Sequence, residues 1–314
     1  MREPQLLDPS SIIDFQTCPR KFFYRYLLGW RPDIPNNHLI FGQALHTGLE
    51  RLFNSQFSEV EEAVTDATAV WREHFPPEQD ENYFPKTPHN LALALHLYAM
   101  TYGEQVNRDY EVMGVEVVGF VPVSFDYDIV FRLDTVLKDK STGKYSIWEH
   151  KSASGVSSLF DNQWILSTQV CSYYLALTLT YGSEFVDQVV IDQVVFYKRK
   201  GIRTDKPPVE LRQLPIRMSE KQLAIVTTQT NVAIGDIFYE YESLEDQKKN
   251  QIMSSFPMRP PACTEYMQLC PYHDFCIAWP NPLHKMDLGP PPGFRVEFWD
   301  PTQGKLSTKE PQDE

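Results

Sequence analysis

The stretch FRLDTVLKDKSTGKYSIWEHKSAS, residues 131–154, decides the fold. Phe131 to Lys138 is rich in β-formers, Asp139 to Gly143 supplies turn residues, and Tyr145 to Lys151 resumes the strand pattern. The pattern predicts two strands joined as a hairpin. Strand side chains alternate in direction, so Glu149 and Lys151 share one face while His150 points away. Once the strands pair, Asp134 can join the face of Glu149 and Lys151.

Two carboxylates and an ammonium converging at a strand end suit hydrolysis of a phosphodiester. Mg2+ takes hard oxygen ligands and keeps several waters, so one or two carboxylates with a substrate phosphate complete its shell. The metal acidifies water and polarises the phosphoryl oxygen, and the ammonium orients the nucleophile or offsets developing charge. An Asp followed later by Glu-x-Lys also occurs on solvated hairpins, so the rest of the chain has to be weighed with it.

The stretch resembles the Asp…(Asp/Glu)-x-Lys core of the PD-(D/E)xK nuclease superfamily, and features along most of the chain resemble its RecB-like branch. Gly42-Gln-Ala-Leu-His46 lies in HLIFGQALHTGLERLF, a strong helical pattern in which Gly42 is expected to permit close packing. It is similar to the Gly-x-x-x-His pattern of that branch, which implies that His46 contacts the catalytic metal. A strand glutamate precedes the aspartate in many RecB-like nucleases, and Glu116 is its counterpart here. An exposed strand glutamate accounts for Glu116 equally well. Downstream, Gln169 and Tyr173 share one face of a predicted helix and match the branch's Gln-x-x-x-Tyr pair, which positions DNA or the lysine. The chain departs from the family at Phe131-Arg-Leu-Asp134, where Gly-x-x-Asp is usual.

Five cysteines are present, three of them close together: Cys263, Cys270 and Cys276. Zinc completed by His273 is one reading and a four-thiolate cluster the other. One cysteine before the nuclease core and three after it is the arrangement of iron–sulfur RecB-like exonucleases, a group that includes CRISPR adaptation nucleases and the AddB nuclease domain. The resemblance therefore implies a 4Fe–4S cluster on Cys18, Cys263, Cys270 and Cys276. The Cys263-x6-Cys270 spacing is longer than the Cys-x2-Cys of the CRISPR group. Cys171 reads as a small buried thiol.

The net charge of −13 excludes a protein that holds nucleic acid through overall basicity. DNA contacts must come from local basic patches. Arg20 and Lys21, interleaved with Phe22, Phe23 and Tyr24, form one, and Lys198 and Arg199 at a predicted hairpin tip form another. Solvated faces would look the same in both places. No apolar run approaches the ~18 residues of a membrane span, and the N-terminus has no signal or transit pattern. The expected location is cytoplasmic.

The expectation is an α/β, restriction-endonuclease-like fold: a mixed central sheet flanked by helices, in one domain over residues 1–285. A helical insertion covers about 55–110, an iron–sulfur cap comes from 1–30 and 255–280, and 286–314 is a flexible tail. The expected activity is that of a Mg2+- or Mn2+-dependent DNA exonuclease preferring single-stranded ends. Asp134, Glu149 and the His150 carbonyl hold the metal with His46, and Lys151 orients water. The alternative is a non-cleaving DNA-binding or assembly subunit of a recombination or CRISPR adaptation complex, and either could have DNA-processing protein partners. The chain carries no Gly-x-x-x-x-Gly-Lys-Ser/Thr loop and so no motor of its own.

Overall fold

The computed structural model describes residues 1, 3–4, 6–124, 127–198 and 207–307. The chain divides into two compact units where one domain was expected. One is Pro35–Val118 with Arg132–Leu223, and the other is Met1–Ile34 with Gly119–Phe131 and Ala224–Glu314.

The second of these units gathers the chain ends. Helix α1 (Pro9–Thr17) opens on a capping box between Asp8 and Ser11. It stops at Cys18 and restarts at Pro19 as α2 (Pro19–Phe22), because proline is tolerated in the first turn of a helix but not in its interior. A π-helical turn, Phe23–Leu27, follows. Gly29, at φ +66°, ends the run, and a Cβ there would lie 2.9 Å from the Phe298 ring. Strand β1 (Trp30–Pro32) then pairs antiparallel with Phe294–Val296. The C-terminal region is therefore folded at least through Ser307, which corrects the expected free tail over the described part of 286–314. Its proline content looked like a linker, yet Phe294 packs 5.6 Å from Tyr272 and 5.1 Å from Phe275, centroid to centroid.

The other unit carries the sheet apart from the strand residues within Gly119–Phe131. Its helices are α3 (Asn37–Asn54), α4 (Val60–Arg72), α5 (Pro88–Asp109), α6 (Ser158–Asn162) and α7 (Thr168–Tyr181). The strands are β2 (Tyr110–Pro122), β3 (Asp128–Asp139), β4 (Tyr145–Ala153), β5 (Val186–Phe196) and β6 (Val209–Ile216), hydrogen-bonded in the order β2-β3-β4-β5-β6. The β3–β4 and β5–β6 pairs are antiparallel and β4–β5 is parallel, so the sheet is mixed. A parallel neighbour needs a crossover, which α7 supplies while packing on β5. The fold class is thus the one expected, a mixed central sheet flanked by helices.

The β3–β4 turn is built by Asp139, whose Oδ1 accepts from the Ser141 and Thr142 amides at 2.8 and 2.7 Å. Gly143 takes φ +70°. The resulting register pairs Thr135 with Trp148, which brings Asp134 level with Glu149. Helix α3 is capped by Asn36 and buries Phe41, Leu45, Leu49 and Leu52 at helical spacing. Gly42 lies off this stripe, and a Cβ on it would meet nothing within 4 Å. Close packing is not its role. Helices α4 and α5 share one core with α3 and the sheet, where Phe41 meets Trp71 and Phe196 edge-on. The residues expected to form an insertion thus complete this core.

Candidate metal and hydrolytic centre

β3 and β4 bring two carboxylates and an amine together, and α3 brings an imidazole. Asp134 is 5% exposed, and its Oδ2 accepts the His150 backbone N–H at 2.7 Å. Its Oδ1 lies 3.3 Å from His46 Nδ1, which is also 3.6 Å from Glu116 Oε1. His46 Nε2 lies 3.0 Å from the His150 carbonyl oxygen. One ligand atom each from His46, Glu116 and Asp134 falls within 4.8 Å of the other two.

Glu116 reaches this point through irregular backbone. It sits in β2 with φ +51°, a conformation a non-glycine residue adopts at some cost in strain. Distortions of this kind re-aim a side chain beside a site. Sequence alternation alone could not reveal it.

Glu149 is 2% exposed. Its Oε1 accepts from Lys151 Nζ at 2.5 Å and from Gln169 Nε2 at 2.7 Å. Its Oε2 is buried with no hydrogen-bond partner among the described residues. Gln169 Nε2 also lies 2.7 Å from the Tyr173 hydroxyl, so α7 supplies a support for Glu149. Lys151 Nζ lies 5.5 Å from the centroid of the Trp164 ring.

The electrostatics follow from burial and proximity. Burial alone would lower the His46 imidazole, but Asp134 and Glu116 outweigh it and raise it well above the ordinary histidine value. Burial would raise Asp134, yet His46, His150 and Lys151 hold it well below the usual carboxylate range. Glu149 goes the other way: burial first and Asp134 second push it up to about 7. Burial works against the Lys151 ammonium, but Glu149 and Asp134 raise it. The centre thus holds its cationic groups charged and one carboxyl close to neutral. A divalent cation matches the two features that a proton serves poorly: paired oxygens around His46 and a vacant acceptor on Glu149.

His150 contributes its main chain here, while its ring lies in a buried network that sequence reasoning missed. Nδ1 is 2.8 Å from Asp192 Oδ2, Nε2 is 3.1 Å from Thr135 Oγ1, and Tyr98 donates to Asp192 Oδ2 at 2.6 Å. The signal was present, since Asp192 interrupts the apolar run VVIDQVVF.

The basic residues separate. Arg20 is 3% exposed and donates to the carbonyls of Phe256 (2.9 Å) and Met253 (3.2 Å), which corrects its expected role at a phosphate backbone. An arginine spent inward satisfies backbone acceptors and offers nothing to a ligand. Lys21 pairs with Asp14 at 2.7 Å. Lys198 is exposed, and Arg199 lies outside the described residues.

Cys18, Cys263, Cys270 and Cys276 line one cavity with Lys21, Tyr272 and His273, and none is in a disulfide. Burial pushes the Cys276 thiol up to about 12, with Cys270 and Cys18 adding to it; Cys270 is raised for like reasons. His273 Nδ1 lies 2.9 Å from Asp274 Oδ1. Cys171 sits apart on α7, buried, its Sγ 3.8 Å from the Leu223 carbonyl.

A five-stranded mixed sheet with acidic groups and a lysine collected on adjacent strands defines a nuclease-type α/β protein. A family model described as the PD-(D/E)XK nuclease superfamily matches residues 7–277, and the chain belongs to that superfamily. Among solved structures, a candidate exonuclease from Eubacterium rectale is 12% identical, with a TM-score of 0.46 over 74% of this chain and 80% of that one. The structure of SSO0001 is 13% identical, with a TM-score of 0.26 over 64% and 78%. A search of the curated proteins found no match. No helix among the described residues is long and apolar enough to cross a membrane.

Proposed function

We propose that the protein is a Mg2+- or Mn2+-dependent DNA exonuclease preferring single-stranded ends, with a structural 4Fe–4S cluster held by Cys18, Cys263, Cys270 and Cys276. The observation that carries the catalytic part is the convergence of His46, Glu116 and Asp134 beside a Lys151–Glu149 pair whose second carboxylate oxygen is unpartnered. Asp134, Glu149 and the His150 carbonyl would hold the divalent ion, with His46 and Glu116 completing the set. When bound, that ion supplies Lewis acidity and an acidified water. Lys151 orients the attacking water and steadies charge on the phosphoryl oxygens. Gln169, bonded to both Glu149 and Tyr173, fixes the carboxylate and faces substrate. His46 would have to be deprotonated to hold the ion, so metal uptake would release protons.

The four thiols lining one cavity are the donor set a cluster takes. Zinc fits less well. Bonds of about 2.3 Å at tetrahedral angles put sulfurs about 3.8 Å apart, and no three of these sulfurs, among the described residues, fall within 4.8 Å of one another.

The test incubates purified protein with end-labelled single-stranded DNA and Mn2+, beside Lys151→Ala. Products from the wild type alone support the reading. Equal products from both would remove it and leave a DNA-binding or assembly subunit. Substrates blocked at the 5′ or 3′ end report polarity in the same gel.

A further inference from the structure

The main chain of His150 is where the sheet gives way to the hydrolytic centre. The β3–β4 ladder runs from Lys138 opposite Tyr145 to Thr135 opposite Trp148. The next rung by that register would join Leu133 to His150. Instead the His150 N–H donates to Asp134 Oδ2 at 2.7 Å, and its carbonyl oxygen lies 3.0 Å from His46 Nε2. One residue of β4 thus orients both Asp134 and His46. On its other side β4 stays paired with β5, where His150 stands opposite Asp192 in parallel register.

The His150 ring is held at both nitrogens. Asp192 Oδ2 lies 2.8 Å from Nδ1, and Thr135 Oγ1 lies 3.1 Å from Nε2. A carboxylate only accepts, so Nδ1 carries the hydrogen that faces it. Asp192 is held in turn, its Oδ2 by the Tyr98 hydroxyl at 2.6 Å and its Oδ1 by Gln213 Nε2 at 3.2 Å. An Asp–His–Thr series could suggest a nucleophile, but Asp192, His150, Thr135 and Tyr98 are each no more than 2% exposed. Substrate does not reach Thr135. Stability is a weak reason for the network too, since apolar residues of similar volume often replace buried charged groups without loss.

We propose that Asp192 is a positioning residue for the metal centre, acting through the His150 ring to fix the main chain that orients Asp134 and His46. The assignment rests on the nuclease reading above. With the ring pinned, the His150 N–H and carbonyl keep their directions, and Asp134 Oδ1 stays within 3.3 Å of His46 Nδ1. Without the carboxylate, the ring and its main chain gain freedom, and the ligand atoms lose their spacing before any ion arrives.

Mn2+ binding to the full chain is measured by electron paramagnetic resonance without DNA, and cleavage of end-labelled DNA separately. Asp192→Asn keeps the shape: its oxygen can face Tyr98 and His150 while the Gln213 amide turns over to meet its NH2. It should weaken Mn2+ binding by about tenfold or more, as loss of an outer partner does at metal sites. Tyr98→Phe removes one hydroxyl and should weaken binding less. Leu95→Ala truncates a fully buried side chain of α5 outside the network, and should lower the melting temperature with Mn2+ affinity unchanged. If Asp192→Asn fails to fold, Tyr98→Phe decides. Wild-type Mn2+ affinity in every folded variant of the network would overturn the positioning role. So would an equal loss of affinity in Leu95→Ala, or a wild type that binds no Mn2+. A wild type that binds Mn2+ and shows the expected ranking, yet cleaves no DNA, would overturn the nuclease reading and leave the positioning role standing.

Discussion

The chain offers two metal-binding candidates built on opposite plans. The carboxylate centre stands on neighbouring strands of the central sheet, and its groups hold one another in place: Asp134 on the His150 amide, Glu149 on Lys151 and Gln169. The cysteine cavity is carried by short helical pieces, Pro260–Met267 and His273–Ala278, and by the junction between α1 and α2. Its nearest order is aromatic, with Tyr24 stacked between Trp30 and Tyr272. Charges compensate in the first centre without a metal. In the second, burial and neighbouring sulfurs keep Cys270 and Cys276 protonated. The difference separates the two proposed ligands: a divalent ion would arrive at a formed site, and a cluster would help form its own.

The sharpest break is therefore between activity and stability. Lys151→Ala is expected to cut DNA cleavage by on the order of 10² to 10⁴ while moving unfolding by only about 1–2 kcal/mol, since the orphaned Glu149 carboxyl can take up a proton. Cleavage kinetics with urea melts on the same preparation check it. Cys18→Ser is expected to do the reverse to its own unit, removing iron and the brown colour and costing several kcal/mol, roughly, because ligand binding energy is folding energy there. A Cys18→Ser protein with an unchanged urea midpoint would erase the distinction drawn here.

The two regions also differ in how legible they were. The hairpin was readable because period-two alternation and turn chemistry are local, and they place Glu149 and Lys151 opposite His150. His46 and Gln169 were readable only by resemblance to a family. Glu116 was half readable: its residue type suggested a ligand, but the φ of +51° that turns it depends on tertiary packing. Arg20 and Lys86 were misread or overlooked for one reason. Sequence gives charge but not depth, and both cations are buried by segments far along the chain, Arg20 by Met253 and Phe256 and Lys86 by Ser152 and Phe41. Pairing of Trp30–Pro32 with Phe294–Val296 was hidden likewise, because partners so distant leave no periodic trace.

A smaller effect separates the regions by pH. Glu149 is raised from its unfolded value of 4.5 to about 7. Its contribution to stability is full below pH 4.5 and is lost as pH rises through 7, on the order of 3 kcal/mol in all. His46, also raised, extends the fall to higher pH. Melts in EDTA should therefore show stability falling from pH 5 to 8, and Glu149→Gln should flatten that slope. Mn2+ should restore stability at pH 8, where the ionised carboxyl can bind it. A wild-type slope indistinguishable from that of Glu149→Gln would place the carboxyl in a less buried, more polar setting.

The smallest effect belongs to the fifth cysteine, and it sharpens the comparison most economically. Cys171 is as buried as any of the other four, but it lies on α7 in the unit that carries the sheet, two residues from Gln169 and two from Tyr173. Helical geometry turns residues two apart onto different faces, and its thiol addresses the Leu223 carbonyl rather than Glu149. Cys171→Ala removes a small apolar volume and a weak donor, a loss of about 1 kcal/mol. Iron per chain, visible absorbance and DNA cleavage should all stay at wild-type levels. If cleavage fell with iron intact, α7 would be less rigid than its packing on β5 implies, and the support it gives Glu149 through Gln169 would be the part to revise. If iron fell instead, the thiol would be exchanging into the cluster, and the division of the chain into one metal-forming and one preformed centre would no longer hold.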